Sequence, residues 1–199
     1  MENRFGKIVY ATLLLLLCSA PAFAQPYRKL TSGDFRGAPQ PGSAGELAFT
    51  NCMIEYSYTP HPRNGYYELD FNIKLVMLHD QSWMDRRKIP SQTRMDEILK
   101  HEQGHYNLAY LEQQELLRTV ARTVFRDDYK DVANAIFQRI DAKYHMLNEN
   151  YDTDTENSSN RVQQHSWDVY FDKVLLPMVG NRYYASATAN ESALLPENR

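Results

Sequence analysis

The chain is poor in cysteine. Two occur among 199 residues, Cys18 and Cys52. Cys18 sits in an apolar N-terminal run, so only Cys52 remains in the body of the chain. One cysteine cannot close an internal disulfide, even in an oxidising compartment. Cys52 falls in a strand-like stretch and reads as a small buried hydrophobe. Positive charge is not in surplus either. The formal net charge is −3, which argues against nucleic acid as a partner. Beyond the N-terminal run no apolar stretch is long enough for a transmembrane helix. Internal repeats are absent.

What is present begins with MENRFGKIVYATLLLLLCSAPAFAQ. Arg4 and Lys7 precede an apolar run from Ile8 to Leu17, and Ala22-Phe23-Ala24 forms an A-x-A cleavage site. This predicts a signal peptide over 1–24 and a secreted or periplasmic location. Lipidation at Cys18 ranks second, because Leu17 stands where a small residue is expected. The signal carries Glu2, Arg4 and Lys7, so cleavage leaves 175 residues with a net charge of −4. That length suits a single domain, expected over 25–180, with a frayed Ala/Ser/Asn-rich tail over 181–199.

Residues 25–46 are rich in Gly and Pro and read as an extended arm. Two alternating runs follow. In 50–59, Cys52, Ile54, Tyr56 and Tyr58 alternate with polar residues. In 66–78, Tyr67, Leu69, Phe71, Ile73 and Leu75 do the same. Period two predicts strands with one buried face, joined as a hairpin through 60–65 with Asn64-Gly65 at the turn. Residues 79–90 read as a loop. A long helix is predicted over 91–125, capped by Ser91 or Thr93, with Ile98, Leu108, Leu111 and Leu116 as apolar positions. A second follows over 129–149, then a polar turn over 150–160 and a third helix over 160–176, ended by Pro177 and Gly180. These elements give an α+β fold, a hairpin packed on one long helix with two further helices.

The long helix carries His101-Glu102-Gln103-Gly104-His105, a complete H-E-x-x-H. Residues four apart share one helix face, so both imidazoles can grip one cation. Glu102 then lies beside the ion, placed to take a proton from the water it activates. The motif predicts zinc-assisted hydrolysis of a peptide bond, with a peptide or protein substrate. Gly104 costs about 1 kcal/mol relative to alanine inside a helix. It is expected to admit a close approach by another backbone or by substrate.

The motifs together resemble a bacterial family catalogued as domain of unknown function 922, described as predicted secreted zinc-dependent proteases. The likeness rests on Asp34-Phe35, Ser82-Trp83, the run Leu99 to Tyr106 around the motif, Tyr151-Asp152, Thr155, Asn160, Gln164 and Trp167. It covers most of 30–170. The resemblance implies a zincin-like fold and a third metal ligand, a histidine two residues after the Thr155 position. Here that position is Asn157. Catalytic zinc takes three protein ligands plus water, so an oxygen donor is expected instead: Glu156 first, Asp152 in reserve. A solvated acidic turn is the equal alternative for these carboxylates. His61, His79, His145 and His165 read as surface or helix-face residues, with His145 and His165 as reserves. Two other functions stay open, a non-catalytic binding module of the cell envelope and an amide hydrolase acting on cell-wall material.

Overall fold

Alternating polar and apolar residues form the first large element, a twisted hairpin. Strand β2 (Cys52–Arg63) pairs antiparallel with β3 (Tyr66–Met77), from Cys52 opposite Met77 to Arg63 opposite Tyr66. The turn is Asn64-Gly65, with Gly65 at φ 81°, as the turn chemistry requires. β3 keeps to its expected bounds, while β2 runs past the expected end at 59 to Arg63. Pro60 and Pro62 lie inside β2, opposite Leu69 and Tyr67. A two-stranded ribbon has only edge strands, where proline breaks no central ladder. Within the expected loop 79–90 sits a short strand β4 (Trp83–Met84), which pairs with β1 (Ala48–Phe49) in a second small ribbon. The architecture is described by a computed structural model covering residues 27–39 and 46–179. The expected signal segment 1–24 and tail 181–199 lie outside the described residues.

Helix α1 (Gln92–Arg122) is the spine. Ser91 caps it, its side chain accepting the Arg94 N–H. Ile98, Leu108, Leu111 and Leu116 are all buried, and each such side chain contributes about 1.5–3 kcal/mol. The base of the hairpin packs on this face through Ile73, Leu75 and Met77. The Tyr67 N–H bonds to the Phe125 carbonyl and ties the hairpin to the end of the spine. Cys52 is half-buried, and burial pushes its thiol up to about 12. It is a packing residue, not a nucleophile at neutral pH.

Helix α2 (Tyr129–Thr155) extends six residues past the expected end at 149. Tyr151 and Thr155 are fully buried, and this packing outweighs the turn-forming tendency of the polar residues around them. The helix then breaks sharply. Glu156, Asn157 and Ser158 take φ values of 49°, 48° and 76°. A non-glycine residue costs about 1–2 kcal/mol in that left-handed region. Helix α3 (Arg161–Val179) follows, with Pro177 tolerated inside its last turns instead of ending it.

One acidic side chain on the spine gives a pH prediction. Burial, with repulsion from Asp141, raises Glu112 to about 7. The folded state therefore holds a proton that the unfolded state releases at lower pH. Stability from this group is full below about 4.5 and is lost as pH rises through about 7. With part of the side chain still in water, Glu112→Gln should stabilise by about 1–2 kcal/mol at pH 8 and by nothing at pH 4. Denaturant titration at both pH values checks this; a difference that does not vary with pH would refute it.

Candidate metal centre

Helical periodicity brings the two imidazoles together. His101 and His105 sit one turn apart on α1, and their Nε2 atoms are 3.1 Å apart. The last turn of α2 brings Asp152 against them. Its Oδ1 is 3.2 Å from His101 Nε2 and 3.1 Å from His105 Nε2. The three atoms form a nearly equilateral triangle. Donors held tetrahedrally at zinc–nitrogen distances lie about 3.3–3.4 Å apart, so the triangle has the right size for one such ion.

The outer partners fix which nitrogens face the triangle. Asn148 Oδ1 is 2.7 Å from His105 Nδ1. A carbonyl oxygen only accepts, so Nδ1 carries a proton, and in the neutral ring Nε2 is the bare nitrogen. Thr155 donates its one hydroxyl proton to the Tyr151 carbonyl at 2.6 Å. Its lone pair is left for His101 Nδ1 at 3.3 Å. With both rings neutral, three lone pairs point into one small space, and they repel unless a cation or a proton sits among them. The protein's charges favour a positive occupant. Burial alone would lower the His105 pKa; the hydrogen bond to Asp152 and the nearby Glu102 outweigh it, raising it to about 9. Burial would raise Asp152, but its bonds to His101 and His105 hold its carboxyl well below the usual range.

Glu102 lies beside the triangle and is 3 % exposed. Its Oε2 accepts the Thr50 hydroxyl at 2.6 Å. Burial pushes its pKa up, against the pull of His105 and His101 and the Thr50 hydrogen bond. The ligand atoms of His101, Glu102 and His105 all lie within 4.8 Å of one another, a group that could hold a metal ion. The cleft above them is small, about 80 Å³. One wall is the β1 segment 46–50; the other carries Asn148, Asp152, Asn157 and Ser158.

The expected third donor needs correcting. Glu156 is exposed, caps the end of α2 and lines a separate hollow with Arg94, Glu97 and Arg161. It is not brought to the histidine pair, because the helix continues past 149 and turns left-handed only at Glu156. Asp152, four residues earlier on the same helix, faces the pair instead. The reserve histidines also lie elsewhere. His145 and His165 are exposed, and His145 meets Glu149. His79 binds the Asp34 carbonyl, and His61 is exposed on β2.

Gly104 has a different reason from the one expected. The ring of Tyr151 lies over it and stacks on His101, with centroids 4.7 Å apart. An alanine Cβ at 104 would fall 2.6 Å from Tyr151 Cε1, and nearer still to its Cζ and hydroxyl. The close approach is made by a tyrosine of the fold, not by substrate. Tyr151 also donates to the His101 carbonyl at 3.0 Å. Three further residues escaped the sequence reading: Thr50, Asn148 and Arg94. Only Asn148 left a signal, since it precedes Asp152 by one helical turn.

The fold and cluster define an α+β protein with a buried His–Glu–His group able to hold a metal ion. The chain belongs to the family described as bacterial protein of unknown function, DUF922, whose model matches residues 30–173. No curated protein and no solved structure matches it.

Proposed function

We propose that the protein is a zinc-dependent metallopeptidase with a zincin-like site, exported from the cytoplasm. One observation carries the reading: two Nε2 atoms and a carboxylate oxygen converge at 3.1–3.2 Å beside a second, buried carboxylate. His101, His105 and Asp152 would hold the ion, with Asn148 and Thr155 orienting the rings. A zinc ion bound there supplies Lewis acidity, which makes water acidic near neutral pH and polarises a carbonyl.

The rest falls to the chain's own groups. Glu102 has one carboxylate oxygen engaged by Thr50 and the other available. That oxygen takes a proton from the attacking water and passes it to the amine nitrogen as the C–N bond breaks. Its raised pKa suits both halves of this transfer. Leu47 uses its carbonyl to accept the N–H of Asp85, the residue just after β4. Backbone groups alternate in direction along a strand, so Ala48, which lines the cleft, turns its own away from β4. An extended peptide can add there as a further strand.

A non-catalytic module would follow from Asn157 standing where the resemblance implies a ligand; Asp152, facing the histidine pair, supports the metallopeptidase reading over it. The N-terminal run over 1–24 supports export.

Glu102→Gln separates binding from chemistry. The variant should keep its zinc and lose about 10²–10⁴-fold in turnover. A panel of casein, short peptides and peptidoglycan fragments checks this and sorts peptide from cell-wall amides. A Glu102→Gln protein as active as wild type on every substrate cleaved would end the reading.

A further inference from the structure

The left-handed turn after α2 borders the metal cleft. Asn157 and Ser158 line it with His101, His105 and Asp152. Three consecutive non-glycine residues with positive φ persist only where surroundings over-determine them, and such strain clusters at functional sites. Here the constraint is visible. Arg94, in the first turn of α1, reaches 64 residues along the chain to Ser158. Its Nη1 donates to the Ser158 carbonyl at 2.8 Å, and its Nη2 donates to the Ser158 hydroxyl at 2.9 Å. Ser158 is only 6 % exposed. Glu97 steadies the guanidinium, at 3.2 Å from Nη1, and is itself paired with Arg161 of α3 at 2.7 Å. The fork is thus held from behind while it grips the turn.

The turn in turn grips the end of α2. The N–H of Asn157 bonds to the Asp152 carbonyl at 3.2 Å, and that of Asn160 to the Thr155 carbonyl at 2.8 Å. Asp152 and Thr155 are the last two of four α2 residues that touch the histidine pair, after Asn148 and Tyr151.

We infer that Arg94 is a positioning residue of the metal centre: its two-pronged hold on Ser158 pins the left-handed turn, and so keeps Asp152 and Thr155 pressed against His101 and His105. The inference rests on the metal-binding reading above. Arg94 touches no reacting atom and acts through the turn. A lysine could satisfy one of the two Ser158 acceptors but not both, because only the planar fork matches them together.

The test measures zinc affinity by chelator competition and cobalt(II) absorption for the wild-type protein, Arg94→Ala, Arg94→Lys and Ser158→Ala. Thermal melting of each metal-free protein runs alongside. Arg94→Ala should weaken zinc binding about 10–100-fold, the range for outer partners of metal ligands. Its cobalt bands should shift as Asp152 loosens, and Arg94→Lys should fall between it and wild type. Ser158→Ala keeps the carbonyl contact and should weaken zinc severalfold. An arginine that only tidies the helix end would lower the melting temperature and leave affinity and bands unmoved. Affinity within twofold of wild type in Arg94→Ala overturns the inference, as does unchanged affinity in Ser158→Ala should Arg94→Ala not fold. A wild-type protein that binds no zinc overturns the metal reading itself, a different and separable result.

Discussion

Asp152→Ala is expected to lower zinc affinity by more than about 100-fold. Losing an outer partner of a metal ligand already costs about 10–100-fold, and on the proposed reading Asp152 would contribute a donor atom itself. On the proposed reading the carboxylate would do two things for the ion: supply the third corner of the triangle and cancel charge in the site. Without it the two histidines remain, and two ligands hold zinc weakly. Glu156→Ala is the matched control. It removes a carboxylate four residues away on the same segment, in a separate hollow, and should leave affinity unchanged. Chelator competition on the two variants decides between the positions. Equal loss in both, or loss only in Glu156→Ala, would show that α2 does not end as described.

Gly104→Ala should destabilise by about 2–4 kcal/mol, although alanine is the better helix former. Three effects compete. Helix propensity favours the variant by about 1 kcal/mol. Forcing a methyl into the Tyr151 ring costs about 1–3 kcal/mol and occasionally more. Moving that ring gives up its bond to the His101 carbonyl and the one it accepts from the Gln164 amide, about 1 kcal/mol each. The clash wins, because the ring is fully buried and has nowhere to go. Asp152 is the next residue, so zinc affinity should fall as well. A Tyr151→Ala background isolates the cause. There Gly104→Ala should become neutral or stabilising, since only the propensity effect survives. The same cost in both backgrounds would show that Tyr151 is not the obstacle.

How far the residues announce this arrangement varies along the chain. The H-E-x-x-H pair was legible, because its geometry is local: four residues on a helix fix the face. The hairpin was legible through its period and the Asn64-Gly65 turn. The end of α2 was not. Asn150, Asp152 and Asp154 favour turns by local preference, and 150–160 reads as a polar turn. Yet Ile140, Tyr144, Asn148, Asp152 and Thr155 keep steps of four and three, the continuing stripe of a helix. Local polarity masked it, and packing of Tyr151 and Thr155 decided the matter. Thr50 was beyond reach for another reason. It meets Glu102 across 52 positions of sequence, and no local pattern carries such a contact. Gly104 lay between these cases. Its need for space was readable, while the neighbour filling that space was not.

X-ray absorption at the zinc edge of the purified protein tests the central claim most directly. One zinc per chain is expected, with two imidazole nitrogens, oxygen donors making up the remainder and no sulfur, and with a protein oxygen lost from the shell in Asp152→Ala. A protein that holds no zinc, or a spectrum showing a single imidazole or a sulfur ligand, would contradict the account.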